Sequence, residues 1–213
     1  MSEEIMLEFN QLPNYGYLKV KIPNRLFLNL TKESEKFNIN DNEFKSGVSS
    51  GLGIAKHMQI KDNYNELSKF TLEIAKQYNE VFNYTQSIKM LNKDLKIKTE
   101  SSWFNYQKKH EFLPNHFHEG VLSFSGWIKI PYDLSAEQNN DSEVSASVFE
   151  FSYNTSIGTL KTHKLPIDKT WEGYMIMFPS TLHHCVYPFY TSDKTRISFS
   201  GNIVLDSSGV TYD

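Results

Sequence analysis

Residues 111–120, EFLPNHFHEG, place His116 and His118 two positions apart just after Pro114. On a strand, residues i and i+2 project to one face, so the two imidazoles would point together while Phe117 faces the other way. Neutral imidazole is the commonest metal ligand among side chains, and the pair suits two ligands of one ion. Two polar residues alternating toward solvent would give the same pattern. A metal needs at least a third ligand, and inside a barrel mouth it must come from a distant strand. The segment EGYMIMFPSTLHHCVYP offers His183 and His184. Neighbours on a strand face opposite ways, so only one of them turns inward. His184 is the expected one, because it shares parity with Val186, whereas His183 pairs with Cys185. In TRISFSGNIV, Arg196 and Ser198 share a face, with Ser200 behind them. An arginine pointing into a β-barrel is costly unless it meets an anion, and its planar fork suits a carboxylate. The alternative is an outward arginine paired with a surface acid.

These residues need elements to position them, and the chain divides near residue 94. The earlier part holds short strand-like pieces, IMLEF and YGYLKVKI, and a segment opening at Pro23 that suits a short helix. Its clearest element is NYNELSKFTLEIAKQYNEVF, where Leu67, Phe70, Ile74, Tyr78 and Val81 recur at helical steps. Asn63 with Glu66 predicts a capping box at the start of a helix over residues 63–82. From residue 94 the period becomes two, and turn residues separate runs rich in β-branched and aromatic side chains. The predicted strands are LKIKTESSWFNYQ, NHFH, SFSGWIKIP, SASVFEFSY, GTLKTHKL, EGYMIMFP, HCVYP and TRISFSGNIV. With no helix between them, they predict an antiparallel sandwich or barrel such as a jelly roll. The class is therefore mainly β with an N-terminal helical elaboration (α+β). Residues 1–93 pack on a core of residues 94–213 as one integrated domain. The polar tract DLSAEQNNDSE is expected to be a solvated hairpin loop, or else a lid.

Composition narrows the functional classes. At 213 residues, with 39% apolar and 22% charged residues, the chain matches an ordinary globular protein. A net charge of −3, with no Lys/Arg-dense face, gives no signal for binding nucleic acid through its phosphates. The single cysteine, Cys185, rules out an intrachain disulfide and suggests a reducing compartment. No apolar run resembles a signal peptide or a membrane span, so a cytoplasmic location is expected.

In their order, His116-Phe117-His118, then FPSTLHH ending at His184, then Arg196-Ile197-Ser198 resemble the Fe(II)/2-oxoglutarate-dependent oxygenase superfamily. Its members carry a His-x-Asp/Glu motif, a distal His well downstream and an Arg-x-Ser soon after. The stretch from Ser101 to Tyr132 is also similar to small oxygenases of tailed phages, which would place the protein in the host cytoplasm. The resemblance covers residues 95–204 and implies a double-stranded β-helix, a jelly-roll variant. It implies Fe(II) held by His116, His118 and His184. It also implies 2-oxoglutarate held at its distal carboxylate by Arg196 and Ser198, with Asn105 and Tyr106 as further contacts. The implied reaction is oxidative decarboxylation to succinate and CO2, coupled to hydroxylation or demethylation of a substrate that the sequence does not name. One departure is His118, where the superfamily has Asp or Glu. Glu119 could replace it only if the strand bulges there. Two other readings use the same residues: a cupin-like metalloprotein without 2-oxoglutarate, and a non-catalytic jelly roll.

Overall fold

The alternating runs after residue 94 do form strands, and two short strands from the earlier part join them. The computed structural model describes residues 15–37, 56–87, 96–138 and 145–206. The predicted IMLEF strand lies outside them. In order, the elements are β1 (Leu18–Lys21), α1 (Asn24–Ser34), β2 (Lys56–Gln59), α2 (Tyr64–Phe82), α3 (Tyr84–Ser87), β3 (Ile97–Gln107) and β4 (Leu113–His116). There follow β5 (Leu122–Lys129), α4 (Leu134–Gln138), β6 (Val148–Asn154), β7 (Leu160–Pro166), β8 (Tyr174–Pro179), β9 (His183–Val186) and β10 (Arg196–Leu205). They build a larger sheet, β1-β8-β5-β10-β3-β2, and a smaller one, β4-β9-β6-β7, with antiparallel pairing throughout both. This is a jelly roll.

Period-two alternation gives the larger sheet two different faces. Phe104, Tyr106, Leu122, Phe124, Met175, Met177, Phe199 and Ile203 point outward and are covered by Leu26 and Leu30 of α1 and Leu67, Ile74 and Tyr78 of α2. Trp127, Ile176 and Phe178 point inward and meet Phe149, Phe151 and Leu165 of the smaller sheet. On the outer face Phe199 lies over Gly126 and Phe124 over Gly201, each so close that a Cβ on the glycine would come within 2.3 Å of the ring.

Three local expectations change. Helix α2 buries Leu67, Thr71, Ile74, Ala75 and Tyr78, but Val81 is 64% exposed. Phe82 takes its place at the end of the stripe, with its ring 4.6 Å from Tyr78. No Asn63 side-chain cap forms. The buried carboxylate of Glu33, from α1, instead accepts the backbone N–H groups of Lys61, Asp62 and Asn63 at 2.7, 2.8 and 3.1 Å and Nδ2 of Asn63 at 2.7 Å. The carboxylate holds the turn that leads into α2 and the N-cap residue Asn63, and its charge complements the helix dipole, so a long-range anchor stands where a local cap was expected. The tract after Tyr132 opens as helix α4, and Glu137 in it is buried. That carboxylate accepts from the backbone of Tyr190 and Thr191, both at 2.8 Å, and so anchors the β9–β10 connection.

Candidate functional site

Strands β4 and β9 pair so that His116 is directly opposite His184. The predicted NHFH strand stops at His116, and His118 lies beyond it. Its position comes instead from a backbone hydrogen bond, in which the N–H of His118 donates to the Ser180 carbonyl at 2.9 Å. The three rings converge, with centroid separations of 4.3 Å for His116–His184, 5.0 Å for His116–His118 and 5.2 Å for His118–His184. One ligand nitrogen from each lies within 4.8 Å of the others. His183 is exposed and meets the outward Phe117 at 4.9 Å.

The tautomers suit metal binding. Nδ1 of His116 is 2.7 Å from the Pro114 carbonyl and Nδ1 of His184 is 2.9 Å from the Leu182 carbonyl. A carbonyl only accepts, so each Nδ1 carries the proton and each Nε2 lone pair is free. Burial, and next the neighbouring His116, pushes His184 down to about 3 and His118 to about 4. Burial lowers His116 as well. The His184 ring stacks on Phe149 at 5.5 Å and meets Phe178 edge-on at 4.9 Å, which is what removes water from it. Three neutral imidazoles in one place form a donor set for a divalent transition metal. Glu119 is exposed and stands outside this cluster, so no carboxylate completes it among the described residues.

Arg196 opens β10 and is 2% exposed. It donates to Tyr132 Oη at 2.8 Å, Gln107 Oε1 at 2.6 Å and the Tyr187 carbonyl at 3.1 Å. All three acceptors are neutral, and no carboxylate pairs with Arg196 among the described residues. A buried guanidinium solvated by dipoles but lacking a counter-charge calls for an anionic ligand. Ser198 shares its face, and Asn105 Nδ2 donates to Ser198 Oγ at 3.3 Å and to Ser200 Oγ at 3.1 Å. Asn105 Oδ1 in turn accepts from Trp103 Nε1 at 3.1 Å. Asn105 thus lines the inner face, but Tyr106 does not. The strand turns Tyr106 to the helix side, where its hydroxyl donates to the Ser34 carbonyl at 2.8 Å.

Sequence reasoning missed Gln107, Tyr132 and His57. Gln107 shares parity with Asn105, a signal that was available. Tyr132 sits beyond the end of β5, where no periodicity applies. His57 comes from β2, which pairs with β3 at the sheet edge and puts His57 opposite Asn105.

The fold has solved counterparts. A prolyl-4-hydroxylase from Pseudomonas putida superposes with a TM-score of 0.51 at 16% identity, covering 88% of this chain and 91% of that one. A viral collagen prolyl hydroxylase from Paramecium bursaria Chlorella virus-1, solved as a 2-oxoglutarate complex, gives 0.51 at 12%, covering 88% and 94%. The non-heme alpha-ketoglutarate-dependent carbocyclase SnoK of nogalamycin biosynthesis gives 0.60 at 9%, covering 91% and 80%. These likenesses show a shared fold. No curated protein sequence matches the chain, and no helix among the described residues is long and apolar enough to cross a membrane. The family model described as "Putative 2OG-Fe(II) oxygenase" matches residues 101–202, a span that holds the three clustered histidines, Asn105, Arg196 and Ser198.

Proposed function

We propose that this protein is an Fe(II)- and 2-oxoglutarate-dependent dioxygenase. His116, His118 and His184 would hold the iron, and Arg196 the distal carboxylate of 2-oxoglutarate. The observation that carries this reading is the buried Arg196 without a counter-charge among the described residues, on the sheet face that also carries Trp103, whose ring lies 6.2 Å from that of the clustered His118. Bound iron and 2-oxoglutarate would supply dioxygen activation, with release of succinate and CO2 and oxidation of a substrate C–H bond.

The residues of the chain have definable tasks. Gln107, Tyr132 and the Tyr187 carbonyl fix the plane of the guanidinium, and its Nε–H stays available to a carboxylate. The Phe189 and Tyr132 rings, 5.4 and 5.8 Å from the guanidinium carbon, keep water from it. Ser198 Oγ accepts from Asn105, so its own proton can be donated to the same carboxylate. The carbonyls of Pro114 and Leu182 hold the imidazoles with Nε2 toward the ion. The ligand set brings no negative charge, so the dianionic cosubstrate would be the main counter-charge to both the metal and Arg196. A cupin-like site without 2-oxoglutarate leaves the buried arginine unexplained.

The test is conversion of 2-oxoglutarate to succinate by the aerobic iron-loaded protein, with ascorbate added to supply the two electrons that a substrate would otherwise give. The account expects iron-dependent succinate formation that Arg196→Ala abolishes while iron stays bound. Iron bound at the three histidines with no succinate formed would contradict it.

A further inference from the structure

His57 stands opposite Asn105 in the β2–β3 ladder and therefore shares the inner face with Asn105 and Trp103. Its ring centroid is 6.3 Å from Trp103, which is itself 6.2 Å from His118. Nε2 of His57 is buried and has no hydrogen-bond partner among the described residues. A buried polar atom left unpaired costs free energy comparable to a lost hydrogen bond, and an apolar side chain would fill the place without that cost. The imidazole makes sense if a ligand supplies the missing partner. Asn105 does not do so: its Nδ2 donates to Ser198 and Ser200, and its Oδ1 accepts from Trp103.

We propose that His57 is a substrate-contacting residue, whose Nε2 hydrogen-bonds an uncharged polar group, such as an amide, of a substrate seated beside Trp103 and the three histidines. This rests on reading the site as an oxygenase, since the substrate is what would lie beside the metal. An uncharged group is indicated by the surroundings. Nε2 of His57 is enclosed, and no carboxylate or ammonium group is paired with His57 among the described residues. A charged group at Nε2 would be stripped of water with no side-chain counter-charge.

The probe is acetamide, with acetate as its charged isostere, titrated against the metal-free and the Zn(II)-loaded protein. The readout is the Trp103 indole N–H resonance, assigned with Trp103→Phe among the three tryptophans. Gln places an amide nitrogen near the position of His Nε2, whereas Asn reaches only that of Nδ1. The expected result is that acetamide shifts the Trp103 signal, while the affinity for acetate, which Arg196 and the metal would govern, does not depend on His57. His57→Gln should hold acetamide affinity within about twofold, while His57→Asn and His57→Phe weaken it by at least about fivefold, the worth of one hydrogen bond. No acetamide shift, equal acetamide affinity in His57→Phe, or an acetate affinity that falls with acetamide's in His57→Phe would overturn the proposal. Failure of Zn(II) to bind would count against the oxygenase reading alone, because the metal-free titration still reports on His57.

Discussion

His116 and His184 face each other across the β4–β9 ladder with ring centroids 4.3 Å apart. Residues far apart in sequence become neighbours because antiparallel register fixes which side chains share a face. His184 is also packed like an apolar residue, against Phe149 and Phe178. His184→Phe should therefore keep the fold, with a thermal midpoint no lower than that of the wild-type apo-protein. Its Zn(II) or Co(II) affinity should fall by more than about 100-fold, since loss of a mere supporting partner already costs up to that. Calorimetric titration checks this, and an unchanged affinity would remove His184 from the site.

The side chains that hold Arg196 should matter in proportion to their bonds. Tyr132→Phe and Gln107→Leu each remove one acceptor, worth about 1 kcal/mol, so 2-oxoglutarate affinity should drop about 5- to 10-fold. Arg196→Lys keeps the charge but not the fork, and should lose more than either. Binding to the anaerobic Fe(II) protein separates these cases. Wild-type affinity in all three variants would mean that the cosubstrate does not touch Arg196.

Acid should unfold the metal-free protein through the histidine cluster. The folded-state values of His184, about 3, and His118, about 4, lie below the ordinary 6.5, and His116 is lowered too. Below pH 6.5 the unfolded chain takes up protons that the folded chain refuses, so stability falls as pH drops from 6.5 toward 3–4. Above 6.5 these groups contribute no pH dependence. Thermal midpoints measured between pH 8 and 4 should decline below 6.5, and less steeply in His184→Phe. Parallel curves for the two proteins would contradict this.

Glu33 predicts a stability effect remote from the site. Its carboxylate receives the amides of Lys61, Asp62 and Asn63, the turn that leads into α2, so Glu33→Gln should cost about 1–2 kcal/mol and Glu33→Ala somewhat more. Urea unfolding measures the loss, and 2-oxoglutarate affinity should not change.

Much of this site was legible as pattern. The switch to period two marked the strands from residue 97 onward, and parity on β9 and β10 selected His184 over His183 and joined Arg196 to Ser198. What pattern could not supply was the geometry of long-range contact. The convergence of His118 depends on a hydrogen bond to Ser180, not on the strand that His-Phe-His suggests. Tyr132 reaches Arg196 from beyond a strand end, and His57 enters only because a short edge strand adds to β3. Glu33 anchors the turn into α2 from another helix, and a local capping rule cannot see it. Gln107 is different, because its parity with Asn105 was readable and simply unused.

The most direct test of the central claim is optical. The anaerobic apo-protein is loaded with Fe(II), and 2-oxoglutarate is added while the visible spectrum is recorded. The account predicts a metal-to-ligand charge-transfer band in the wild type, weakened in Arg196→Ala and absent in His184→Ala. Iron binding without any band would contradict the cosubstrate assignment. No iron binding at all would contradict the metal site itself.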